Sequence, residues 1–191
     1  MTTQTLFLKH MVELLGQAGV PYMLAGSMGS SFHGEPRATN DIDIVIAPSS
    51  SQLITFLHSL GDDFYVSHEA AMDALANASM FNVIDMEMGW KADLIIRRQR
   101  VFSLTEFDRR RRTKVLGIDV WVVSPEDVIL SKLEWIKDRD SELHFRDALG
   151  VAMVQYESLD QDYLTRWSRE LGVEDLFARL LDDLARFKRE S

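Results

Sequence analysis

Asp41 and Asp43 stand one residue apart inside Asp41-Ile42-Asp43-Ile44-Val45-Ile46, an acidic pair set in an apolar run. The run predicts a buried β-strand. Residues two apart on a strand share a face, so both carboxylates point the same way. Side by side they repel, and each raises the other's pKa unless a cation lies between them. A divalent cation carrying a triphosphate resolves that conflict. Mg²⁺ takes one or two carboxylates and fills its other octahedral positions with water and phosphate oxygens.

Fifteen residues upstream of Asp41 is Gly26-Ser27, after the apolar run Pro21-Tyr22-Met23-Leu24-Ala25. The spacing predicts a short strand, a tight turn and a short helix over 27–33. Glycine lets a backbone approach an anion closely, and the free N–H groups of a helix start bind phosphate. A Gly-Ser turn alone says little; with an acidic strand downstream it becomes a constellation.

The order Ala25-Gly26-Ser27, then Asp41-Ile42-Asp43-Ile44, resembles the signature of the nucleotidyltransferase superfamily that includes DNA polymerase β. The stretch Arg37-Ala38-Thr39-Asn40-Asp41-Ile42-Asp43 is similar to the form found in small bacterial members and in the abortive-infection (AbiEii-like) enzymes. The resemblance implies a Mg²⁺ or Mn²⁺ ion on Asp41 and Asp43, and a nucleoside triphosphate, ATP among the candidates. Gly26, Ser27, Arg37 and Thr39 would bind the nucleotide. It also implies a third acid on a later strand. The runs 80–85 and 91–96 flank a turn and predict a hairpin, and Asp93 stands just before the apolar triplet Leu94-Ile95-Ile96. By resemblance Asp93 is the third metal ligand, or the base for the incoming hydroxyl.

A second block of resemblance lies further on. Lys132, Arg139 and the pair Arg146-Asp147 follow the spacing of the AbiEii-like enzymes, while Trp135 and Gly150 depart from it. The resemblance assigns Lys132 to the phosphates and Asp147 to orienting Lys132 or the acceptor. Ile129, Leu133 and Ile136 are expected to face the core, with Lys132 running along a rim and making no core contact.

The elements that must carry these residues follow from periodicity. Helices are predicted at about 4–18, 27–33, 50–60, 68–78 and from Ser103, with strands at 21–25, 40–46, 64–66, 80–85, 91–96 and 118–123. Ser124-Pro125-Glu126-Asp127 is a helix start: an N-cap, a proline at the first position, acids in the first turn. Everything after it reads as helix, at about 125–138, 142–156, 159–171 and 174–188. The expectation is an α+β fold: a small mixed-sheet nucleotidyltransferase core flanked by helices over 1–123, and an all-helical C-terminal part over 124–191.

Composition narrows the function further. The chain has 191 residues, 46% hydrophobic and 27% charged, enough for a packed core and far from the make-up of a disordered chain. It lacks cysteine, so it has neither disulfides nor thiolate metal ligands. The five histidines show no paired ligand spacing, and there is no Gly-x-Ser-x-Gly elbow. No apolar run reaches the roughly 18 residues of a membrane span, so the expected location is the cytoplasm. A net charge of −9 argues against general nucleic-acid binding, yet residues 97–114 alone carry a net +6. Such a stretch either docks a polyanion or forms a solvated helix end.

The reading is a metal-dependent nucleotidyltransferase that joins a nucleoside monophosphate to a hydroxyl acceptor and releases pyrophosphate. RNA such as tRNA, a small antibiotic and a protein are all possible acceptors, and the basic stretch favours RNA. The alternative is a non-catalytic nucleotide- or partner-binding module, one half of a toxin–antitoxin pair with an antitoxin as its partner. The presence of all three acids weighs against it.

Overall fold

The computed structural model describes residues 2–138 and 141–190. Two compact units emerge, one of Met1–Ala25 with Ala38–Val122 and one of Gly26–Arg37 with Val123–Ser191.

The first unit is built on a seven-stranded mixed sheet. In chain order its elements are α1 (Thr3–Gln17), β1 (Tyr22–Leu24), β2 (Asp41–Ile46), α3 (Ser50–Ser59), β3 (Phe64–Tyr65), α4 (His68–Asn77), β4 (Met80–Asp85), β5 (Lys91–Ile96), α5 (Val101–Asp108), β6 (Arg111–Val115) and β7 (Ile118–Val122); the number α2 belongs to Gly26–His33 in the second unit. The strand order is β3-β4-β5-β2-β1-β7-β6. β2 runs parallel to β5 and antiparallel to β1, and β4 and β5 form the predicted hairpin.

Alternation explains the sheet's two faces. Ile42, Ile44 and Ile46 on β2, with Ala92, Leu94 and Ile96 on β5, are buried on one side. α4 packs on β4 and β5, and α3 packs on both α4 and α1. Phe56, Phe7 and Met11 fill this helical layer without exposure. Burying one such side chain contributes roughly 1.5–3 kcal/mol, enough to fix the register of β2. A slip of one residue would drive Asp41 and Asp43 into the core. Thr39 braces the start of β2, its hydroxyl donating to the Asp41 carbonyl at 3.0 Å.

The basic stretch resolves into an element that its composition hides. Arg111–Val115 is a strand at the sheet's edge, joined to β7 by the two-residue turn Leu116-Gly117, both in left-handed backbone at φ 51° and 82°. Two positive φ angles are what a tight hairpin of this kind requires.

The second unit is helical: α2 with α6 (Pro125–Asp138), α7 (Glu142–Gln155), a 3₁₀ turn at Tyr156–Ser158, α8 (Gln161–Leu171) and α9 (Glu174–Glu190). Ser124 caps α6 as its sequence predicts, accepting from the Asp127 N–H at 3.2 Å and donating to the Asp127 carboxylate at 2.6 Å. The first-turn acids do more than favour the helix dipole. Asp127 is fully buried and accepts from the Tyr163 hydroxyl at 2.6 Å, and Glu126 accepts from the Asp160 N–H at 3.2 Å. Together they tie the start of α6 to the start of α8. No helix among the described residues is long and apolar enough to cross a membrane.

Candidate active site

In the sheet unit the parallel pairing of β2 and β5 sets Asp43 directly opposite Asp93, and Asp41 opposite Lys91. All four occupy the half-exposed positions of their strands, on the face away from the buried isoleucines. The third acid is therefore brought to the first two by register. Their exposure is graded: the Asp41 side chain is 48% exposed and Asp93 14%.

Sequence reasoning passed over two neighbours. The Lys91 ammonium lies 3.4 Å from Asp41 and 3.2 Å from Asp93, bridging the two strands. Partial burial pulls its pKa down. The hydrogen bond and charge of Asp93, with the charge of Asp41, outweigh that, so the pKa lies above the ordinary lysine value. Asn82, opposite Asp93 on β4, donates to the same carboxylate. The readable signal was Lys91 at i−2 from Asp93, on its own face. Among the described residues no group of three or more His, Asp or Glu is gathered as a metal-ligand cluster. The donors are nonetheless of the right kind, hard carboxylate oxygens on one face, and Mg²⁺ needs only one or two beside water and phosphate.

In the helical unit, Gly26 opens α2 at φ 54°, a left-handed conformation that favours glycine. Arg37, just past the helix, folds back on it. Its Nη2 donates to the Ser27 hydroxyl at 2.6 Å. The same guanidinium meets Asp147 of α7 as a fork, Nε to Oδ1 at 2.9 Å and Nη2 to Oδ2 at 3.0 Å. Lys132 of α6 donates to Asp147 Oδ2 at 2.8 Å. Ser27, Arg37, Lys132 and Asp147 thus form one network.

The geometry corrects the expected place of Lys132. It does not run along an open rim: its side chain is 8% exposed and Asp147's 7%. A lysine is buried at this depth only when paired, and the partner comes from fifteen residues along, on the next helix. Burial pushes the Asp147 carboxyl up, but hydrogen bonds and charge from Arg37 and Lys132 hold it below the usual carboxylate range. The same two cations and burial keep the pKa of neighbouring His144 low, with burial the larger cause. Arg146 is exposed, and Arg139 lies outside the described residues.

The departure at Gly150 has no steric reason, since a Cβ there would meet only ordinary contacts at 3.6–3.7 Å; the tight position is Gly34. A Cβ on Gly34 would come within 2.7 Å of the Val151 nitrogen and 2.8 Å of the Gly150 carbonyl carbon. α2 and α7 meet there backbone to backbone, close to where Arg37 reaches Asp147.

The charge of residues 97–114 is partly spent on packing. The guanidinium groups of Arg97 and Arg110 lie 5.3 and 4.2 Å from the centre of the Phe107 ring, and Arg110 also sits 5.1 Å from Trp121. Lys114 pairs with Asp119 across the β6–β7 hairpin at 2.8 Å. Arg111, Arg112 and Lys114 stand exposed on an edge strand, where charge also blocks unwanted sheet pairing.

No protein-family model matches the chain, and no curated protein matches it in sequence. Solved structures do. The chain is similar to an antigenic nucleotidyltransferase-like protein from Paracoccidioides brasiliensis, with a TM-score of 0.64 at 15% identity, over 95% of this chain and 88% of that one. It is also similar to ANT(2'')-Ia in complex with adenylyl-2''-tobramycin, with a TM-score of 0.59 at 14% identity, over 91% of this chain and 99% of that one. The solution structure of the same antibiotic-resistance factor gives 0.55 at 14% identity, over 100% and 98%. The chain shares the α+β fold of these solved structures.

Proposed function

We propose that the protein is a metal-dependent nucleotidyltransferase acting on a nucleoside triphosphate. The observation that carries the reading is the register that sets Asp43 opposite Asp93, with Asp41 on the same face. Asp41 and Asp43, with Asp93, would hold the divalent cation, Mg²⁺ or Mn²⁺. When bound, such an ion offers Lewis acidity that lowers a hydroxyl's pKa and offsets phosphoryl charge.

Asp93, held by Asn82 and Lys91, either completes the ligand set or takes the proton of the acceptor hydroxyl. The hydroxyl oxygen bonds to the α-phosphorus, the α–β bridging bond breaks, and pyrophosphate leaves. On the helical side the cations outnumber Asp147 by one charge. Lys132 and Arg37, with Gly26 and the Ser27 hydroxyl, are assigned to phosphate, and Asp147 positions both cations. Thr39 acts through the strand that it braces rather than through a direct contact.

For the acceptor we propose RNA, on the strength of exposed Arg111, Arg112 and Lys114 and their affinity for a polyanion. The test is transfer of label from each α-labelled triphosphate with Mg²⁺, in separate reactions offering total RNA, tobramycin and cell protein. Labelled RNA supports the full reading, and label on tobramycin or protein alone replaces the acceptor. Asp43→Ala should lose the activity while remaining folded. Unchanged activity in that variant removes the assignment.

A further inference from the structure

The cation that the acidic face calls for is already present as a side chain. Lys91 reaches Asp41 on one strand and Asp93 on its own, at 3.2–3.4 Å, and it is 34% exposed, so it has room to swing away. Both contacts are long and the one to Asp41 is half in water, and exposed pairs of that kind hold weakly. Asn82 also donates to Asp93, so that carboxylate has a partner besides the lysine. The charge of the face is thus partly offset at rest by a group that a stronger cation can displace.

We propose that Lys91 is a resident counter-ion of the carboxylate face, which a divalent cation must displace from Asp41 or Asp93 in order to bind. The inference rests on the metal-dependent reading above. In the resting protein Lys91 offsets the repulsion between acids that share a face. On metal binding it gives up its place, and the protein discriminates against weakly held monovalent ions, which cannot compete with a tethered ammonium.

The test is Mn²⁺ binding to the full chain, followed by the loss of the free-ion electron paramagnetic resonance signal. Lys91→Met removes a positive charge from beside the ion and should tighten Mn²⁺ binding about tenfold, whereas Lys91→Arg should leave it as weak as in the parent. Melting should start lower in Lys91→Met without metal and rise further on adding Mn²⁺. Unchanged or weakened binding in Lys91→Met overturns the proposal. Should that variant fail to fold, the parent decides: the Lys91 Cε resonance must shift during a Mg²⁺ titration, and a resonance that stays fixed also overturns it. The two readings fail separately. A parent that labels no acceptor, yet binds Mn²⁺ as described, loses the transferase assignment and keeps the counter-ion. A parent that labels its acceptor without the Lys91 effect does the reverse.

Discussion

The molecule holds carboxylates against cations in two ways. On the sheet, Asp41 and Asp93 share one lysine at 3.2–3.4 Å, partly in water. In the helical unit, Asp147 receives a bidentate arginine and a lysine at 2.8–3.0 Å with its side chain 7% exposed. Arginine's fork is pre-organised for a carboxylate, while a lysine on a flexible stem is a movable point charge. The difference teaches what each is built for. The sheet face leaves its carboxylates rearrangeable, and the helical network fixes two cations in place.

The largest expected effect follows from removing the centre of the fixed network. Asp147→Ala strands two cations, one of them deeply buried, and should cost about 3–5 kcal/mol, read from urea unfolding. A cost under about 1 kcal/mol, the range of an exposed pair, would erase the contrast with the sheet. The same carboxylate gives a pH signature. Its pKa in the fold lies below its unfolded value. Its contribution is therefore complete above about pH 4, the ordinary aspartate range, and is lost as pH falls through the folded pKa. Asp147→Asn should lack that acid limb.

A middle-sized effect tests how the network is assembled. Gly34→Ala forces a methyl against the backbone of α7 at 2.7–2.8 Å, and backbone cannot swing aside as a long side chain does. Overpacking of this kind costs typically about 1–3 kcal/mol. If α2 is pushed from α7, Arg37 loses its fork on Asp147, so the acid limb should weaken in this variant as well. Gly150→Ala serves as the control, because its Cβ would meet only ordinary contacts near 3.6–3.7 Å.

What could be read in advance follows the same divide. β2, β4 and β5 were legible because one face is apolar at period two, and the acids stood out against it. The parallel register of β2 with β5 was not, since it depends on which strand comes alongside. β6 escaped notice because Arg111-Arg112-Thr113-Lys114 has no apolar alternation. An edge strand with one partner needs little of it. The turn hides as well, since Leu116 gives no hint of a positive φ. Lys132 looked exposed because a lysine in a helix usually is. Asp147, distant in sequence, is the partner that permits its burial. Ser124-Pro125 was legible because caps act locally, although the buried partners of Asp127 and Glu126 on α8 are not.

The smallest expected effect is on the movable side of the comparison. Asp41→Asn keeps the shape of the side chain, removes one charge from the shared face, and leaves Lys91 its contacts with Asp93. The Asp41 side chain is 48% exposed and its contact with Lys91 is 3.4 Å long, so water replaces what is lost. Stability should move by no more than about 0.5 kcal/mol in either direction, as for surface changes generally. Relief of repulsion from Asp43 opposes the loss of the lysine contact. Nucleotidyl transfer, by contrast, should fall steeply, because a carboxamide is a poor ligand for a hard divalent ion beside phosphate. The comparison is thermal and urea unfolding of Asp41→Asn beside the parent, with label transfer measured on the same preparations. A loss of stability near that of Asp147→Ala would mean that the sheet's acids are a structural network after all. Retained transfer would mean that Asp41 is a bystander to Asp43 and Asp93. Unchanged stability with lost transfer is the result that a face kept rearrangeable for its ligand requires.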